Sequence, residues 1–187
     1  RMGEWGKADP TPELLESLLA LLFAVEDAGW LEVAEDASRS LLGLLPTRTQ
    51  RRDVRAARVW AARGRMLRVM GRLVEAHDAY ARAQRGARAA HDHWLDDRCE
   101  LGFGVLAEQR GNFPQARAHY TRVLSRQTEG SQLARAARQG MVTVARSGGR
   151  YDEAFEHAWH AFRGAGRDPE QRLDALVQLG ELCRKVG

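Results

Sequence analysis

The sequence has few of the features that mark secreted or membrane proteins. It contains two cysteines in 187 residues, Cys99 and Cys183, which are too few and too isolated for a disulfide framework. Its most apolar stretch, residues 14–25, is interrupted by Glu16 and falls short of the roughly 20 apolar residues that cross a bilayer. This stretch also lacks the basic lead-in of a signal peptide. We therefore predict reduced thiols, a cytoplasmic location and no membrane contact.

Sequence motifs of catalysis are also absent. The chain has no Walker A loop, no zinc-protease helix and no nucleophile elbow. Residues 102–107 match the loose dinucleotide-binding fingerprint, but no strand precedes them. His91 and His93 are spaced as metal ligands could be, yet no further ligands can be placed beside them. His157 and His160, one helical turn apart, are interpreted as a solvated or partly packed pair. We expect a protein that is not an enzyme and that binds no metal or cofactor.

Charge is distributed unevenly, although the formal net charge is only +4. Residues 1–46 carry three basic and nine acidic side chains, a net charge of −6. Residues 47–90 carry twelve arginines and three acidic side chains, a net charge of +9, whereas residues 91–187 have a net charge of +1. The basic segment makes nucleic-acid binding an alternative function. Few aromatic residues lie among its arginines, so it lacks the stacking platforms that single strands need, and nucleic acid is not the preferred partner.

Hydrophobic periodicity predicts an all-α chain. Apolar residues recur with the period of helices, and no stretch alternates for long enough to propose a strand. After a lead-in at residues 1–10, Thr11-Pro12-Glu13 supplies a cap, a first-turn proline and an acid that favour a helix start. The predicted helical hairpins span residues 11–46, 50–90, 93–128 and 131–165, and a last helix spans residues 169–186.

Four columns of residues repeat along these hairpins. Glycines at the predicted turns are separated by 42, 40, 38 and 38 residues: Gly29, Gly71, Gly111, Gly149 and Gly187. Five residues after each of the first four turns comes an alanine: Ala34, Ala76, Ala116 and Ala154. Two residues after each of these four turn glycines comes a large apolar residue: Leu31, Leu73, Phe113 and Tyr151. Seven residues before three of the turns is another glycine: Gly64, Gly104 and Gly180. Such a period predicts stacked helical hairpins.

Packing explains why small residues repeat. Helix axes approach to the short end of the 8–10 Å range only where small side chains meet. The glycine on the first helix of each pair and the alanine on the second helix therefore mark the predicted crossing. An aromatic residue nine positions after the turn, Tyr80 or Tyr120, fills the adjacent space.

These columns resemble the tetratricopeptide repeat. Trp60, Gly64, Ala76 and Tyr80 match its signature, and Gly104, Ala116 and Tyr120 match it in the next hairpin. Glu100 and Arg138 stand where the family has Trp, and the intervals exceed its usual length of about 34 residues. Such long repeats are similar to those in bacterial regulatory proteins, where repeat regions are attached to kinases, transcription activators and peptide-sensing regulators.

The resemblance implies a single repeat domain over residues 11–187, folded as a right-handed α-solenoid of about four and a half antiparallel hairpins. It also implies that the first helix of each pair lines a concave groove. With Trp60 and Gly64 assigned to packing, the expected groove residues are Arg58, Ala61, Arg65, Arg68, Arg98, Leu101, Val105, Glu108, Gln139, Thr143 and Arg146. In the first hairpin they are Glu16, Leu19, Phe23 and Glu26.

The preferred function is a protein–protein interaction scaffold. Arginine recognises carboxylates in two-point fashion, so the groove is expected to bind a peptide or protein surface with acidic groups. The alternative that these arginines are only solvated or pair with neighbouring acids stays open, as does a peptide-sensing role within a larger bacterial signalling or transcription-regulating protein. The last helix has an apolar stripe that includes Leu173, Leu176 and Leu179. We therefore expect either a fragment of a longer protein or self-association through this helix.

Overall fold

The computed structural model describes residues 11–45, 53–166 and 168–186, and the elements in these ranges are all helical. The helices are α1 (Pro12–Asp27), α2 (Leu31–Leu44), α3 (Val54–Val69), α4 (Leu73–Ala89), α5 (His93–Gln109), α6 (Phe113–Arg126), α7 (Gln132–Ser147), α8 (Tyr151–Gly164) and α9 (Pro169–Val186). The predicted all-α class is thus confirmed for the described part of the chain. The predicted lead-in at residues 1–10 and the start of the second hairpin lie outside it.

The helices pack as neighbours in chain order. Helices α1 and α2, α3 and α4, and α7 and α8 pack against each other as pairs, and α2 with α3, α6 with α7 and α8 with α9 connect successive pairs. This arrangement is consistent with a helical repeat, because a lone pair of helices cannot bury both of its apolar sides. Within the described ranges, no helix is long and apolar enough to cross a membrane.

The chain divides into two compact units, one ending at Cys99 and the other beginning at Glu100, so the boundary falls within α5. In the first unit, α1, α2 and α3 share a core that includes Leu22, Leu41 and Met66. In the second unit, one core surrounds Tyr120 between α6 and α7, and another joins Val142 of α7 to Leu182 of α9. The prediction of a single domain over residues 11–187 stays a prediction.

The turns within the pairs use the repeating glycines in a conformation that other residues rarely adopt. Positive φ angles occur at Gly29 (81°), Gly71 (77°), Gly111 (72°) and Gly149 (70°). At the α3–α4 turn, the N–H of Gly71 donates to the carbonyl of Arg68 at 3.0 Å, and the N–H of Arg72 donates to that of Leu67 at 2.8 Å. This is the Schellman motif, and the same pair of hydrogen bonds recurs at Gly111 and Gly149. The glycine spacing in the sequence therefore reports the spacing of the helix ends.

Side-chain caps set several of the helix starts. The Asp53 carboxylate accepts a hydrogen bond from the N–H of Arg55 at 2.8 Å, at the start of α3. Asn112 caps α6 and Ser131 caps α7 in the same way, with bonds of 3.2 Å from the N–H groups of Gln115 and Ala134. Each cap satisfies a backbone donor that a helix leaves without an internal partner.

Candidate functional site

The four predicted groove residues of α3 lie along one side of that helix but differ in accessibility. Arg58 is exposed, and Arg65 and Arg68 are half-buried. Ala61 is 2% exposed, so it packs inside the first unit and presents no surface to a ligand. A side chain this short does not reach past the neighbours that cover it, and its assignment to the groove stays a prediction. We call Arg58, Arg65 and Arg68 the α3 arginine stripe.

Arg68 is held by a tyrosine of the neighbouring helix. Its guanidinium forms a side-chain hydrogen bond with Tyr80 of α4, and the positive charges of Arg68 and Arg98 both act on the Tyr80 hydroxyl. Burial nevertheless dominates and raises the pKa of Tyr80. One predicted groove arginine, Arg68 of α3, thus bonds the buried phenol, and the charge of another, Arg98 of α5, acts on it.

The tyrosines reach these positions because a glycine faces each ring. A Cβ atom added to Gly64 would lie 2.8 Å from the Tyr80 ring, and one added to Gly104 would lie 2.5 Å from the Tyr120 ring. Both distances are well inside the normal van der Waals contact of carbon atoms. Any larger residue at either glycine would displace the ring.

Arg98 also lies beside an exposed aromatic ring. Its guanidinium is 5.4 Å from the centre of the Trp94 ring, one helical turn earlier on α5. Trp94 is exposed, so this cation–π pair is open to a ligand that provides an apolar or acidic group. Trp60 is different, since it packs against the first core and is covered by Arg63 and Arg82.

Several carboxylates of the first unit are paired with arginines outside the α3 arginine stripe. Glu35 is buried and contacts Arg63 at 2.8 Å and Arg39 at 2.5 Å. Burial raises the pKa of Glu35, but hydrogen bonds from these two arginines outweigh it and lower the pKa overall. Other pairs are Asp53 with Arg55 at 2.8 Å, Asp96 with Arg88 at 3.0 Å and Glu75 with Arg72 at 2.6 Å.

Arg58 has no such partner. Over the described ranges, no hydrogen bond, ion pair or ring contact of its side chain is found. It is therefore an exposed cation with no partner among the described residues, whereas Arg68 contacts Tyr80 and Arg98 contacts Trp94. In the first hairpin, Glu16 is exposed, Leu19 belongs to the core and Phe23 is half-buried; the side chain of Glu26 lies outside the described ones.

The predicted groove residues of the second unit are largely engaged within it. Leu101 and Val105 are half-buried against the core around Tyr120. Glu108 accepts a hydrogen bond from the Tyr120 hydroxyl at 2.7 Å. Arg146 of α7 bridges to Glu181 of α9 at 3.1 Å. Gln139 is exposed, and its carbonyl accepts a hydrogen bond from the Thr143 hydroxyl at 3.4 Å.

The alanine column falls in the interior of both units. The column alanines Ala34, Ala76, Ala116 and Ala154 are fully buried. Gly140, which the sequence columns do not include, also packs against the Tyr120 ring, nearest its Cζ and Cε2 atoms. Gly140 follows Tyr120 by 20 residues in the sequence. This separation does not by itself predict that α7 approaches the Tyr120 ring.

The titratable groups form ion pairs rather than a metal site. Glu153 of α8 contacts Arg117 at 2.5 Å and Arg150 at 2.8 Å, and its carboxylate lies 3.7 Å from His157. Burial lowers the pKa of His157. The Nδ1 atom of His160 lies 3.5 Å from a carboxylate oxygen of a different residue, Glu129. In the described part of the chain, no group of three or more His, Cys, Asp or Glu residues could hold a metal ion.

No protein-family model and no curated protein matches the chain. The assignment to the tetratricopeptide repeat family therefore stays a prediction from the sequence columns. What the geometry offers chemically is cationic and aromatic side chains on the surface of helices.

Proposed function

We propose that the protein is a non-enzymatic interaction scaffold that binds a peptide or protein surface carrying acidic groups. The hairpins would stack as a right-handed, tetratricopeptide-like solenoid, as the repeat columns suggest. The α3 arginine stripe and the Arg98–Trp94 pair would contribute the binding surface of the first unit. A peptide-sensing role in a larger bacterial regulator would use the same surface.

One observation carries this proposal. Carboxylates of the first unit, from the buried Glu35 to the exposed Glu75, are neutralised by Arg39, Arg55, Arg63, Arg72 and Arg88. Arg58, on the exposed side of α3, is left without an ion pair to any described residue. Pairing with neighbouring acids therefore accounts for the first set, whereas Arg58 is left either to solvent or to a ligand. A carboxylate of a ligand is the group that would form an ion pair with Arg58.

The same pairs weaken the nucleic-acid alternative. Arg55, Arg63, Arg72 and Arg88 all belong to the basic segment 47–90, and each is already paired with a carboxylate. Affinity for nucleic acid comes mainly from cations that neutralise phosphates, so fewer of them are available than the net charge suggests.

Selection of a phage-displayed library of random peptides on the full chain tests the proposal. We expect the selected peptides to be enriched in Asp and Glu. Their affinity for an Arg58→Glu variant, measured by fluorescence anisotropy, should fall about 10-fold or more, which corresponds to about 1.4 kcal/mol. This loss is in the range of a charge-assisted hydrogen bond.

Arg85→Glu is the matched control, because Arg85 is also exposed but lies on α4. It changes the net charge equally and should leave the affinity nearly unchanged. Equal losses in both variants would mean that only net charge matters. Selected peptides without acidic residues would contradict the proposal directly.

A further inference from the structure

His157 of α8 lies where charges from three helices of the second unit meet. Its side chain is largely buried, with 19% of its surface exposed. Glu153, one turn earlier on α8, attracts a positive imidazole, whereas the charges of Arg117 on α6 and Arg138 on α7 repel one. The charge state of this one side chain therefore affects how α8 packs on both neighbouring helices.

The two ring nitrogens of His157 have different surroundings. Nε2 lies 3.7 Å from a carboxylate oxygen of Glu153. Nδ1 is buried and has no hydrogen-bond partner among the described residues. A neutral imidazole carries one hydrogen, and Nε2 is the nitrogen that faces an acceptor. A proton taken up from solvent would therefore lie on Nδ1, as a buried donor without an acceptor.

The Glu153 carboxylate is already engaged by two arginines. Arg117 contacts its two oxygens at 2.5 Å and 3.1 Å, and the Arg150 Nε–H donates to one of them at 2.8 Å. Burial raises the pKa of Glu153, but the hydrogen bonds from these arginines outweigh it and lower the pKa overall. The carboxylate thus stays ionised at mildly acidic pH, and its charge is compensated before His157 takes up a proton.

Other charged groups around α8 have partners of their own. Arg138 contacts Glu129 at 3.2 Å, and Glu129 also lies 3.5 Å from His160. Helix α9 packs against α8 as well, and its Glu181 pairs with Arg146 at 3.1 Å. These contacts direct the nearby acids away from the buried Nδ1 atom.

We propose that α8 is an acid-sensitive latch, which stays packed on α6 and α7 while the His157 imidazole is neutral and loosens when Nδ1 takes up a proton from solvent. Ala154 and Ala158 of α8 are fully buried in the core shared with α7 and α9. Loosening of α8 would open this core. The latch lies in the second unit and uses none of the α3 arginine stripe, so either proposal can fail without the other.

The direction of the pH dependence follows from burial. Burial lowers the pKa of His157 and outweighs the attraction of Glu153. The pKa in the packed state is therefore below the ordinary value of 6.5. The stability that neutral His157 contributes is fully present above pH 6.5 and is lost as the pH falls from there through the lowered pKa.

Amide hydrogen exchange of the full chain, measured by mass spectrometry at about pH 7.5 and about pH 5.5, tests the latch. Protection factors, corrected for the intrinsic pH dependence of exchange, should fall about 3-fold or more across residues 151–164 on acidification. His157→Gln is neutral at both pH values and should abolish this fall. Equal falls in the parent and in His157→Gln would overturn the proposal.

His160→Gln is the matched control, because His160 is on the same helix but is exposed and faces Glu129. It should respond to acid as the parent does, and a loss of the response would assign the effect to the wrong histidine. An NMR titration of the His157 imidazole in the parent needs no variant. Its midpoint should lie below 6.5 and coincide with shifts of the α8 amide signals, and a midpoint at or above 6.5 would contradict the latch.

Discussion

Tyr80 and Tyr120 occupy equivalent places in successive hairpins, yet their hydroxyl groups meet opposite charges. Each ring lies against the glycine of the preceding helix, Gly64 or Gly104. The Tyr80 hydroxyl is bonded to Arg68, whereas the Tyr120 hydroxyl donates to Glu108. The apolar part of the site is therefore repeated and the polar part is not. A repeated fold can in this way keep one packing solution while the charge beside it changes from hairpin to hairpin.

The two sites also differ in how tightly the ring is enclosed. Tyr120 lies between Gly104 and Gly140, so glycines on two different helices face it. At Tyr80, Gly64 of α3 faces the ring. Two-sided enclosure leaves the Tyr120 ring less room to adjust. The same substitution should accordingly have a larger effect in the second unit than in the first.

Adding a methyl group at the glycines tests this difference and should give the largest effect. The added Cβ lies 2.5 Å from the Tyr120 ring in Gly104→Ala and 2.8 Å from the Tyr80 ring in Gly64→Ala. We expect overpacking of about 1–3 kcal/mol, with Gly104→Ala at the upper end. Urea denaturation followed by circular dichroism gives both values. Equal costs at the two sites would show that enclosure by Gly140 has no energetic weight.

Removing the hydroxyl groups isolates the polar difference and should have a smaller effect. Tyr120→Phe leaves the Glu108 carboxylate without its 2.7 Å donor and should reduce the free energy of unfolding by about 1–2 kcal/mol. Tyr80→Phe should reduce it less, because Arg68 is half-buried and its other donors reach water. Urea denaturation at neutral pH measures the loss in free energy of unfolding for each variant, and the ratio of the two losses checks this prediction. A larger loss for Tyr80→Phe would reverse the interpretation.

The comparison also shows which parts of the site could be predicted from the sequence. Turn glycines and column alanines are separated by fixed short intervals, and local helix geometry turns those intervals into packing. Gly140 could not be found in this way, because it faces Tyr120 from the next hairpin. Which residue of the next helix meets the ring depends on how the hairpins stack, and this is a tertiary property.

The contacts of the expected groove residues could not be predicted for a related reason. Helical phase places Arg68 on the same side of α3 as Arg58, and Glu108 at the equivalent position of α5. Residue spacing in the sequence is enough to predict these positions. Helical phase does not determine which atoms the end of a long side chain contacts. The Arg68 guanidinium and the Glu108 carboxylate each bond to a tyrosine hydroxyl. Helical phase also does not say how far the neighbouring helices cover a short residue such as Ala61.

The smallest expected effect concerns alkaline pH and distinguishes Tyr80 by its ionisation. Burial raises the pKa of Tyr80 above its ordinary value of 10.0. The folded state thus favours the protonated phenol, and the associated stability is fully present below pH 10 and is lost as the pH rises through the raised pKa. The urea midpoint should therefore fall above pH 10 in the parent and fall less in Tyr80→Phe. An identical decline in both proteins would mean that the Tyr80 phenolate is tolerated, with Arg68 and Arg98 compensating for its burial.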